Sequence, residues 1–114
     1  MALNINTDDF IEMVVIRLDG RLVLGEETGA FRATVKKLLN EGRKVLVVSF
    51  QNVSLIDSGG LGALVAAQAS ARAAGASLRL CDFAPRSSEL LQVTKLYTVF
   101  DIYDSEQEAY RSLH

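Results

Sequence analysis

The 114-residue chain has no tryptophan and only one cysteine, one proline and one histidine. A lone cysteine forms no internal disulfide. Cys81 lies in an apolar run and reads as a buried thiol of a reducing, cytoplasmic compartment. The only histidine is His114, the last residue, which leaves no imidazole placed to activate a nucleophile. No cluster of Cys and His exists to hold a transition metal, and no cofactor is expected. No block of like charges is present. The balance of 12 Lys and Arg against 14 Asp and Glu gives a net charge of −2, which offers no general attraction to nucleic acid or to an anionic bilayer. Apolar runs stop well short of the roughly 20 residues of a membrane span, so no membrane insertion is expected. Met1 to Asn6 lacks the basic and then apolar pattern of a signal peptide.

Apolar residues make up 49% of the chain, enough to build the core of one compact domain over residues 1–114. Met13 to Leu18 is rich in β-branched residues and reads as a strand. Leu3 to Thr7 alternates and should pair with it as a hairpin through Asp8-Asp9. Gly20 to Gly25 reads as a short extended piece between glycines. Phe31, Val35, Leu38 and Leu39 recur at helical spacing, predicting an amphipathic helix from about Glu26 to Asn40 that ends before Gly42. Val45 to Val48 is continuously apolar, as in a strand covered on both faces. An alanine-rich helix follows, to about Ala74, then a strand over Ser77 to Cys81. Pro85 suits the first turn of a third helix through Leu90, Leu91 and Val93. Thr98 to Tyr103 reads as a last strand. Asp104 or Ser105 caps a last helix that contains Ala109, Tyr110 and Leu113. The pattern is α/β: a mixed, mostly parallel sheet of four to five strands, an antiparallel N-terminal hairpin and about four helices.

The most informative stretch is Leu55-Ile56-Asp57-Ser58-Gly59-Gly60-Leu61-Gly62. It sets a serine where a strand gives way to the first turn of a helix. The first N–H groups of a helix lack internal partners and carry partial positive charge. Asp57 or Ser58 can cap them, and a phosphate on Ser58 would sit in a favourable field.

Ile56-Asp57-Ser58-Gly59-Gly60-Leu61-Gly62 resembles the signature of the STAS domain, the family of sulfate transporters and anti-sigma-factor antagonists. The resemblance extends to Ile16–Leu22, Lys44–Val48, Gly75–Leu80 and Leu90–Leu96, followed by Phe100 and Ile102. It is nearest to the bacterial antagonists and implies a binding module that catalyses nothing and regulates transcription, often in a stress response. In that family the serine after the aspartate is phosphorylated, which here is Ser58. The implied partners are an anti-sigma factor that is also a serine kinase, and a phosphoprotein phosphatase. The unphosphorylated antagonist binds the anti-sigma factor and frees the sigma factor; phosphorylation ends the binding and the phosphatase restores it. The residues expected at the partner interface are Arg21, Leu22, Val23, Leu24, Glu26 and Glu27, with Asp57, Ser58, Gly59, Gly60 and Leu61. Many antagonists carry a second hydroxyl residue after the serine, where this chain has Gly59. Many also carry an aspartate after the Gly-x-Leu of the early strand, where it has Val23.

Two rival readings stand beside it: a constitutive scaffold of the same fold in a signalling or transporter-associated assembly, and, from a different class, a small-ligand or nucleotide-binding domain using the helix start. The glycines match no P-loop, since no Lys-Ser/Thr pair follows. Close packing of Gly62 on the sheet is the expectation for that glycine. Glu26 and Glu27 suit the positive end of a helix. Arg72, Arg79 and Arg86 are expected at the surface, and Tyr97 and Phe100 against the sheet. Alanines 63, 66, 67, 69, 71, 73 and 74 suit a close helix–sheet approach.

Overall fold

The computed structural model describes residues 3–83, 95 and 98–113. The strands are β1 (Asn4–Asp9), β2 (Val14–Leu22), β3 (Val45–Ile56), β4 (Ser77–Cys81) and β5 (Asp101–Tyr103). The helices are α1 (Glu26–Asn40), α2 (Ser58–Ala73) and α3 (Glu106–Arg111), three among the described residues. The five strands form one sheet in chain order. β1 runs antiparallel to β2, and β2, β3, β4 and β5 run parallel. The expected third helix from Pro85, together with Arg86 and Tyr97, lies outside the described residues.

Four boundaries differ from the sequence reading. Asp8 and Asp9 belong to β1, and the hairpin instead turns at Phe10–Met13, where Phe10 N–H donates to the Met13 carbonyl at 2.8 Å. The piece after Gly20 is not separate. Irregularities between Arg17 and Asp19 and between Gly20 and Arg21 let β2 continue to Leu22, and Gly20 has a φ of +125° there. β3 outlasts its apolar run and reaches Ile56 past the polar Gln51, Asn52 and Ser54, because Asp19 to Leu22 of β2 still pair with it. β5 begins at Asp101 rather than Thr98; Thr98 bonds instead to the Lys95 carbonyl. The bounds of α1 and β4 agree with the expectation, and Ser105 caps α3 by accepting Glu108 N–H at 3.1 Å.

Strand alternation sorts the core into two layers. Val14, Ile16, Leu18 and Leu22 of β2 pack with Leu46, Val48, Leu78 and Leu80 against α1 and α2. α1 contributes Phe31, Val35 and Leu38; α2 contributes Leu61, Ala63, Leu64, Ala67 and Ala71. Phe100 joins this layer, as expected of it. On the other face Met13, Val15, Val47 and Cys81 pack with Ala109 of α3. This double coverage is why Val45–Val48 is continuously apolar. Only Ala63, Ala67 and Ala71 of the alanines named above are buried; Ala69, Ala73 and Ala74 face outward. The turn-by-turn repeat of small side chains lets α2 lie close to the sheet. Arg72 is exposed as expected, but Arg79 is half-buried, donating to hydroxyls of Ser77, Tyr103 and Ser112.

α3 is held by charge as well as packing. Arg17 of β2 forms a two-point pair with Glu106, at 2.9 and 2.8 Å, and also meets Asp8 at 3.0 Å. The bonds to Glu106 and then Asp8 hold the Arg17 guanidinium still more firmly in its charged form.

Candidate functional site

β2 and β3 end side by side, with Leu22 opposite Ile56. The residues that follow each strand therefore meet at the C-terminal edge of the parallel sheet, where α/β folds place their binding surfaces.

A single residue, Asp57, connects β3 to α2. Its extended backbone (φ −99°, ψ −176°) suits an N-cap, and its Oδ1 accepts Gly60 N–H at 2.7 Å. The same carboxylate accepts Leu24 N–H from the segment after β2, at 3.2 and 3.1 Å to its two oxygens. Asp57 N–H in turn donates to the Leu22 carbonyl at 3.4 Å. The N–H groups of Gly60 and then Leu24 stabilise the ionised carboxylate and lower its pKa below the usual carboxylate value. Of the two candidate caps, Asp57 is the one used. Ser58 is the first residue of α2, and it is exposed.

The glycines have different roles. A Cβ at Gly59 would lie 2.5 Å from Leu24 Cβ and 3.0 Å from Leu24 Cα. One at Gly60 would lie 2.1 Å from the Leu22 carbonyl oxygen. Both are closer than real contacts allow, so the Leu22–Leu24 segment rests on α2 only because these positions lack side chains. Gly62 does not pack on the sheet, contrary to expectation: it is exposed, and a Cβ there would meet nothing within 4 Å.

The turn brings together the two segments expected at an interface, but not every member faces outward. Leu22, Gly60 and Leu61 are buried and support the turn. Arg21, Glu26 and Ser58 are exposed; Val23, Glu27, Asp57 and Gly59 are half-buried. Leu24 is 75% exposed although apolar. Glu26 and Glu27 lie in the first turn of α1, behind Gly25 with φ +131°, where the helix dipole favours acids. The tie between Asp57 and Leu24 escaped the sequence reading. Asp followed three residues later by Gly is compatible with a cap, but nothing in Leu24 advertises a bond made by its backbone. Among the described residues no group of three or more His, Cys, Asp or Glu could hold a metal ion. A groove of about 540 Å³ between α1 and α2 is lined by Arg32, Val35, Lys36, Leu39 and alanines of α2, and by none of the turn residues. No helix among the described residues is long and apolar enough to cross a membrane.

Such an arrangement defines a class: a small α/β module that presents an exposed hydroxyl at a braced helix start. The family model of the STAS domain matches residues 3–109, and the chain belongs to the STAS domain family. It is 25% identical over 113 residues to an anti-sigma F factor antagonist of Paenibacillus polymyxa, covering 99% of this chain and 97% of that one. Its fold is similar to that of a candidate anti-sigma factor antagonist from Thermotoga maritima, with a TM-score of 0.88, 24% identity and coverage of 95% and 92% of the two chains. It is also similar to the Bacillus cell fate determinant SpoIIAA. The phosphorylated form gives a TM-score of 0.74 at 22% identity, covering 97% of this chain and 100% of that one. The unphosphorylated form gives 0.73 at 21% identity, with 96% of each chain covered.

Proposed function

We propose that this protein is an anti-sigma-factor antagonist whose binding is gated at Ser58. The unphosphorylated form binds an anti-sigma factor that is also a serine kinase, and the sigma factor is freed. Phosphorylation of Ser58 ends the binding, and a phosphatase restores it. The protein acts by binding in the cytoplasm, without catalysis or cofactor.

One observation carries this reading: Ser58 is exposed on a turn whose capping is done by its neighbour Asp57. Its hydroxyl is therefore available to a kinase without loss of the cap. Phosphorylation adds about −1.5 to −2 charge. The start of α2 favours that charge and Asp57 opposes it, so the fold persists. An interface closed over the turn does not, because burying an unmatched dianion costs several kcal/mol. About 3 kcal/mol is already more than a hundredfold in affinity. Leu24 and Arg21, exposed beside the turn, supply an apolar and a cationic contact for the partner.

Val23 favours a second reading, since it brings no acid to the turn from the β2 side. In that reading the domain is a constitutive scaffold and Ser58 remains unmodified. Incubation with the serine-kinase anti-sigma factor of the same cell and ATP separates the two. The first reading expects one phosphate on Ser58 by mass spectrometry and none in Ser58→Ala. An unmodified wild-type protein supports the scaffold.

A further inference from the structure

The groove between α1 and α2 takes no part in the Ser58 turn. Its walls are Val35 and Leu39 of α1 and four alanines of α2, with Asn40 and Ser70 among them, and it holds about 540 Å³. Arg32 and Lys36 stand at its α1 side, and both are exposed. Neither has an ion-pair or hydrogen-bond partner among the described residues. From Gly29 to Asn40 α1 carries no acid, and α2 carries none at all. The nearest acids in sequence are Glu27, before Arg32, and Glu41, after Lys36, and neither lines the groove. Lys37 and Arg72, on the same two helices, add further exposed cations. In a chain whose net charge is −2, this face is locally positive. The groove first meets α2 at Ala66, roughly 12 Å along the helix from Ser58.

We propose that this groove docks an acidic amphipathic helix of a partner protein. This inference does not depend on the role of Ser58. Arg32 and Lys36 are one helical turn apart, about 6 Å along α1. A helix laid along the groove meets both with acids placed three or four residues apart. Its apolar side chains, recurring at the same period, enter the space that the alanines of α2 leave open beside Leu39. Charge argues against the other occupants. A second copy related by a two-fold axis sets Arg32 and Lys36 against their own images. The acids of the chain's own α3 are already matched, Glu106 by Arg17 at 2.8 Å and Glu108 by Arg111 at 2.7 Å. An anionic bilayer also attracts cations, but it takes up apolar side chains that project from a surface. Here Val35 and Ala67 are buried and Leu39 is half-buried, recessed beside the two cations. A partner seated in the groove leaves the Ser58 turn open, so the chain can hold two proteins at once.

A nuclear magnetic resonance titration of the whole labelled chain tests this. The probe is a capped helical peptide of about 18 residues, with leucine along one face and glutamate on its flanks. Amide shifts should move in residues 32–40 and 66–74 and saturate with a Kd below about 1 mM. Raising sodium chloride from roughly 50 to 500 mM should weaken binding about threefold or more. The double variant Arg32→Glu with Lys36→Glu should bind at least about tenfold more weakly with an unchanged circular dichroism spectrum. Ser70→Phe fills the groove from an exposed position and should weaken binding with both cations in place. Ser58→Asp should bind the peptide as the wild type does, which keeps this result separate from the role of Ser58. A wild type that does not bind the peptide overturns the proposal, as does a double variant that binds equally well. Equal binding of a peptide with lysine for glutamate, or of a scrambled peptide of the same composition, overturns it too. So do shifts confined to the Ser58 turn, and so does a protein that ignores the peptide yet binds phosphatidylglycerol vesicles through Arg32 and Lys36.

Discussion

The carboxylate of Asp57 accepts the backbone N–H of Leu24, at 3.2 and 3.1 Å to its two oxygens, while also capping α2 through Gly60 N–H at 2.7 Å. One side chain thus holds two segments 33 residues apart in sequence on either side of Ser58. The turn is thus braced by its own hydrogen bonds before any partner arrives, and a braced turn has less entropy to lose on binding.

Asp57→Asn should loosen this tie and lower the thermal midpoint by a few degrees, with the larger change at neutral pH. The folded-state pKa of Asp57 is depressed. Its contribution is therefore present above the ordinary carboxylate pKa of about 4 and lost as pH falls through the lower folded value. Thermal melts of wild type and Asp57→Asn should diverge above about pH 5 and converge toward pH 2.

The three glycines should respond differently to alanine. Gly59→Ala forces its Cβ into Leu24 and should cost about 1–3 kcal/mol in urea denaturation. Leu24→Gly in the same chain should recover part of that loss by removing the Cβ it meets. Gly60→Ala should cost more, because the atom in the way is the Leu22 carbonyl, fixed in the chain entering the turn. Gly62→Ala points into open space and should stabilise α2 by up to about 1 kcal/mol.

These glycines show what the sequence could and could not convey. The order of strands and helices was legible because apolar spacing is a local property. The bounds of α1 and β4 followed from it directly. The second half of β3 was not legible, since Gln51, Asn52 and Ser54 interrupt the apolar run and the stretch becomes strand only through pairing with β2. The glycine cluster announced a tight turn. Which glycine was tight depended on Leu22 and Leu24, distant residues that only the fold brings near. Ser58 was legible as a position, while its release from capping depended on the side-chain direction of Asp57.

Replacing Arg17 with leucine should loosen α3 from the sheet. The pair is partly exposed, so the global cost should be about 1 kcal/mol or less and should shrink in high salt. Hydrogen exchange at Glu106–Arg111 should accelerate more than exchange in α1.

Cys81 is fully buried, and that burial pushes its thiol pKa well up. A thiol-specific disulfide reagent should label it only as fast as the protein opens, and at once in denaturant.

The most direct measurement is the affinity of the proposed partner, a serine-kinase anti-sigma factor of the same cell, for this protein with and without phosphoserine at position 58. Calorimetric or fluorescence titration should give tight binding to the unmodified chain and binding at least about a hundredfold weaker to the phosphorylated one. The two forms should have matching circular dichroism. Equal affinity for both would contradict the account.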